Sequence, residues 1–158
     1  MEVRAGFLLL LVIDEYYSLN GFSVFVLSDI DRFRRLDEKE DMINYVLSRR
    51  YGSEYLREHR HAFNRYKRFA FLSEIHQYAP LLTVFREHRD STVCNVGRIL
   101  AIEKEKVELR EISADGIWEE GLGRFKLDDI TRIDFGGQYE DALWRYGNRE
   151  TDADLEGV

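Results

Sequence analysis

The chain has 158 residues, 44% of them hydrophobic and 13% aromatic, with one proline and a formal net charge of −7. This supply of apolar side chains supports a packed core and excludes a disordered or low-complexity chain. Cys94 is the one cysteine, which excludes an internal disulfide or a cysteine-built zinc site and fits a reducing compartment.

Residues 3–13 read as a strand covered on both faces, because Phe7 to Ile13 is apolar without alternation. The run is far shorter than the roughly 20 residues of a membrane helix. Asp14 and Glu15 follow it where a signal peptide would have small residues, so a cytoplasmic protein is expected. Asn20-Gly21 signals a hairpin turn, 22–27 a second strand and 30–34 a third, short one. Asp37 then opens a helix, with acidic residues in its first turn, Ile43, Val46 and Leu47 on one face, and Gly52 as its stop.

Residues 53–79 are expected to be helical up to Pro80, which pushes its predecessor out of helix geometry. Strands are expected at 81–87, 92–103, 105–112, 122–126 and 131–135, with Asp115-Gly116 as a hairpin turn and Gly97 as a bulge or bend. Tyr139, Ala142, Leu143 and Tyr146 share one face of a closing helix. Residues 148–158 are polar and acidic, as expected of a disordered tail.

Charge is unevenly spread. Residues 49–68 hold 7 basic and 2 acidic side chains, whereas 103–158 hold 8 and 16. Arg49, Arg50, Arg57, Arg60, Arg65, Lys67 and Arg68 thus form a basic island in an acidic protein.

The chain also repeats itself. Without a gap, 7–34 matches 107–134 at 7 of 28 positions: Leu9, Gly21, Phe25, Leu27, Asp29, Ile30 and Arg32 recur one hundred residues later. Chance would give roughly two, so the chain reads as a diverged tandem repeat. Matched in this way, Leu8, Leu10, Val24 and Val26 stand where Glu108, Arg110, Arg124 and Lys126 stand. The first copy should then carry an apolar outer face of Leu8, Leu10, Val24 and Val26. Such a face must be covered, by helices within 53–79 or by a second subunit.

No catalytic motif is found: there is no P-loop, G-x-G-x-x-G, G-x-S-x-G or H-E-x-x-H. Asp29 and Asp129 recur in both copies, which favours a turn-building role over acid–base chemistry. His59 and His61 are two apart and diverge on a helix, and His76 and His88 lie at no metal-ligand spacing. Cys94 sits in an apolar strand-like run and reads as a buried, inert thiol. No catalytic residue, cofactor or metal is expected.

The bent strands and Leu-x-Asp-Ile corner around Gly121–Ile133 resemble small five-stranded barrels of the Sm-like or SH3-like kind. More loosely, Gly97-Arg98-Ile99 and Ile130-Thr-Arg-Ile-Asp-Phe-Gly136 resemble bacterial proteins that hold such units in tandem. The resemblance implies a bacterial origin and a barrel fold, and it carries over no site.

The expected architecture is mainly β with helices (α+β): two diverged antiparallel sheets or barrels in tandem, each closed by a helix. The expected divisions are a first unit at 1–52, a basic helical linker at 53–80, a second unit at 81–147 and a tail at 148–158. The expected function is a non-catalytic interaction module that binds a protein or pairs with itself, with immunity-type neutralisation of a basic partner as one form. The alternative is RNA or DNA binding through 49–68.

Overall fold

The computed structural model describes residues 6–32, 37–52 and 72–149. Most of the expected linker, the tail from 150 onward, strand positions 3–5 and 33–34, His59 and His61 lie outside the described residues.

The protein is a mainly β α+β protein. The seven strands among the described residues are β1 (Phe7–Ile13), β2 (Leu19–Val26), β3 (Leu82–Phe85), β4 (Cys94–Ile102), β5 (Lys106–Ile112), β6 (Trp118–Lys126) and β7 (Arg132–Phe135). Three helices accompany them among the described residues, α1 (Asp37–Tyr51), α2 (Leu72–Tyr78) and α3 (Gln138–Gly147). Leu27–Asp29 and Leu127–Asp129 each form one 3₁₀ turn. Residues 30–32 are not a strand.

Strands of both expected units lie in one antiparallel sheet, in the order β1-β2-β7-β3-β4-β5-β6, instead of forming two separate sheets. Directly paired residues share a face, so the register defines rows across the sheet. Leu9, Val24, Ile133 and Val84 form one such row, and Phe22, Phe135 and Leu82 another. These join Ile99, Val107, Leu109 and Phe125 in the main core. Leu72, Ile75 and Ala79 of the α2 segment also belong to that core. α2 ends just before Pro80, as the sequence requires.

The opposite face is covered at one end by α3. Leu143 packs there with Val96 and Ile112, flanked by Trp118 and Trp144. The two indoles meet edge to face at 6.2 Å, and Trp118 Nε1 donates to Gly147 O at 3.1 Å. Arg98 and Arg110 are cross-strand neighbours of like charge. Each lies over an indole, Arg98 over Trp144 and Arg110 over Trp118, which offsets their repulsion.

Two local expectations change. The first hairpin turns at Asp14–Ser18 and not at Asn20-Gly21. There Asp14 Oδ1 accepts the N–H groups of Tyr16 and Ser18, and Tyr17 takes a left-handed φ of 57°. Gly21 lies within β2 at φ 76°, where an added Cβ would fall 2.5 Å from Phe135 O and Gly137 N. Its purpose is close backbone approach. In β4 the register shift falls between Ile99 and Ala101, and Gly97 stays in regular pairing with Leu82 and Glu111.

Candidate functional site

The expected apolar face does not form as composed. Leu8 pairs with Phe25 and Leu10 with Ser23, whereas Val24 pairs with Leu9 and Val26 with Phe7. Leu8 and Leu10 therefore point outward, while Val24 and Val26 point to the core side, where Val24 is buried. The cause is one residue. Opposite Val12, β2 holds the two residues Asn20 and Gly21; opposite Glu111, β6 holds three, Glu119 to Gly121. The ungapped match is thus one position out along β1, and a one-residue slip exchanges faces. Leu8, opposite Phe25, corresponds to Val107, opposite Phe125.

Of the basic island, Arg49 and Arg50 are described; Arg57, Arg60, Arg65, Lys67 and Arg68 lie outside the described residues. Arg50 is engaged in the fold. Its Nη1 donates to Tyr16 O and Tyr17 O at 3.1 Å and to Ser18 Oγ at 2.7 Å, clamping the end of α1 to the first hairpin turn. Tyr51 Oη accepts from Leu19 N beside it.

The duplicated aspartates serve structure in a way sequence reasoning did not anticipate. Asp29 lies 3.3 Å from His88 Nε2, and Asp129 lies 2.9 Å from Arg89 Nη2. Both 3₁₀ corners thus lean on one turn, the β3–β4 connection. His88 thus faces a carboxylate of the first corner. Among the described residues no three His, Cys, Asp or Glu side chains group as metal ligands would.

The outer face of the central strands holds the arrangement with most chemical content. The register places Leu10, Ser23, Asp134, Thr83 and Val96 in one row, and Leu8, Phe25, Arg132, Phe85 and Cys94 in the next. The N-terminal turn of α3 stands over the first row. A cavity of about 220 Å³ lies between them. Asp134 Oδ1 accepts from Ser23 Oγ at 2.6 Å, and Glu140 Oε1 accepts from Thr83 Oγ1 at 2.5 Å.

Burial raises the Asp134 carboxyl above the ordinary aspartate value. The Ser23 hydroxyl and Arg132 act against this, and the charges of Glu140 and Glu87 add to it. Tyr139 is raised by partial burial and then by Cys94 and Glu140. Arg132 stacks 3.6 Å from the Phe85 ring centre, with Glu87 and Asp134 at 3.6 and 3.4 Å. The free thiol of Cys94 is exposed at the cavity wall; it is not the buried thiol expected.

Sequence reasoning missed Ser23, Thr83, Asp134 and Glu140, which come from four elements. The one local signal was a hydroxyl residue in each of two apolar strands. No family model matches the chain, and no curated protein or solved structure is found to be similar.

Proposed function

We propose that the protein is a non-catalytic interaction module that associates with a second copy of itself through its first hairpin. The observation that carries this reading is strand β1. It lies at one edge of the sheet, and its seven residues are all apolar. The other edge strand, β6, carries Glu119, Glu120, Arg124 and Lys126. Charged edges resist pairing, whereas an uncharged apolar edge invites it. A two-fold axis would set β1 antiparallel to its copy, with Leu8 and Leu10 facing their equivalents on the outer side. Leu10 is 43% exposed within one chain.

The finer architecture belongs to the same proposal. Strands β3 to β6 form a meander, a one-turn helix follows, and β7 returns beside β3. This order supports a small barrel of the SH3 or Sm kind. So does Arg86, at the end of β3, which lies 4.9 Å from the Phe125 ring centre three strands away. The nucleic-acid reading is weakened because Arg50 is held by backbone carbonyls.

Light scattering over a concentration series tests the proposal. Self-association is expected in the wild type and its loss in Leu10→Lys with the circular dichroism unchanged. A wild type that stays monomeric at every concentration would refute it.

A further inference from the structure

We infer that the arginine pair Arg98–Arg110 on the outer face binds the phosphate group of a small organic phosphate monoester. The two residues are direct partners across β4 and β5, and both are exposed. Like charges opposed in this way destabilise a strand pair. Contacts with Trp144 at 5.9 Å and Trp118 at 4.9 Å stabilise the two charges. A ring, however, gives the five N–H groups of a guanidinium no oxygen acceptor. Neither guanidinium has a hydrogen bond or an ion pair among the described residues. The acidic side chains of the neighbouring segments are committed elsewhere. Glu108, two residues along β5 and on the same face, pairs with Arg124 at 2.7 Å, and Asp141 of α3 pairs with Arg145 at 3.0 Å.

A phosphate monoester supplies what the pair lacks. It carries about −1.5 to −2 charge near neutral pH and has three acceptor oxygens. Guanidiniums hold phosphate through paired N–H bonds and can stack on aromatic rings at the same time. One such anion between the two arginines turns a like-charge cost into a chelate. The indoles hold the guanidiniums before the ligand arrives, so less side-chain freedom is lost on binding. Leu122 continues the row beyond Arg110 and is 48% exposed, which offers an apolar shelf to the organic part of the ester. The net charge of −7 disfavours a polyanion such as a nucleic acid strand. A monoester brings a single phosphate to a place where positive charge is unpaired.

Trp118 and Trp144 are the chain's two tryptophans and each contacts one of the arginines, so intrinsic fluorescence reports on this site. The protein is titrated separately with phenyl phosphate, phenyl sulfate, inorganic phosphate and an oligothymidylate. Phenyl phosphate is expected to change the emission saturably. Phenyl sulfate, with a single charge, and inorganic phosphate, with no ring, should bind severalfold more weakly. Arg98→Gln and Arg110→Gln, both at exposed positions, should each weaken phenyl phosphate binding about tenfold, with circular dichroism as the check on folding. No saturable change in the wild type, equal affinity for phenyl sulfate or inorganic phosphate, undiminished binding in a folded glutamine variant, or a response to the oligothymidylate without one to phenyl phosphate would each overturn the inference.

Discussion

Phe25 and Phe125 hold the same place in two similar hairpins, two residues before a Leu-x-Asp 3₁₀ corner, yet they point to opposite faces of one sheet. Phe125 pairs with Val107 and is buried in the main core. Phe25 pairs with Leu8 and with Arg132, on the outer side. The reason is topological. The first hairpin joins the sheet through its second strand, the second through its first strand. Keeping strand polarity then requires one hairpin to be turned over. The first hairpin carries Leu8 and Phe25 outward and so needs further apolar residues, Phe7, Leu9 and Val24, facing the core.

The twin glycines should behave oppositely. Gly21 has a positive φ and backbone within 2.5 Å of a would-be Cβ, whereas Gly121 has open space. Gly21→Ala is expected to cost more than about 1 kcal/mol, and Gly121→Ala to stay within about 0.5 kcal/mol of wild type. Urea unfolding of both variants decides, and equal effects would contradict the bulge geometry.

Charge placed on the two faces of the first hairpin separates them. Val24→Asp leaves an uncompensated buried charge, a state that costs about 3–5 kcal/mol. Leu10→Lys, at a position 43% exposed, should cost under about 0.5 kcal/mol per folded chain. Thermal melts at low protein concentration, where association does not contribute, are the measurement. Similar losses at the two sites would mean that they share a face.

Asp134 predicts an unusual pH dependence. Its carboxyl is raised from the ordinary 3.8 in the folded chain. The native state therefore holds this proton more tightly than the unfolded state. The resulting stabilisation is complete below pH 3.8 and is lost as pH rises through the folded value. Asp134→Asn removes this titration and keeps an acceptor for Ser23. The variant should gain on the wild type as pH rises from 3.8 and then keep a constant difference. Unfolding free energies across acidic to neutral pH would show it; a gap independent of pH would defeat the assignment.

Arg50 and Arg49 are neighbours with unequal work. Arg50 ties α1 to the first hairpin turn through three acceptors. Arg50→Ala should lower stability by about 1 kcal/mol, and Arg49→Ala, at an exposed position, should change little. Denaturant midpoints of the pair test this, and identical midpoints would remove the clamp.

The sequence by itself determined the local pieces. The seven strands, the helix opening at Asp37, the stop before Pro80 and the closing helix after β7 follow from side-chain periodicity, caps and proline geometry, which act over a few residues. The two Leu-x-Asp segments form matching 3₁₀ corners. Faces were not legible. They depended on whether two or three residues bulge opposite one, and on which strand of each hairpin meets the sheet. Neither leaves a trace in the spacing of apolar residues when both faces are apolar. The cavity was equally hidden, because Ser23, Thr83, Asp134 and Glu140 are unremarked within their own segments. Cross-strand pairing brings Ser23, Asp134 and Thr83 together, and only the packing of α3 over that row buries Glu140 against Thr83.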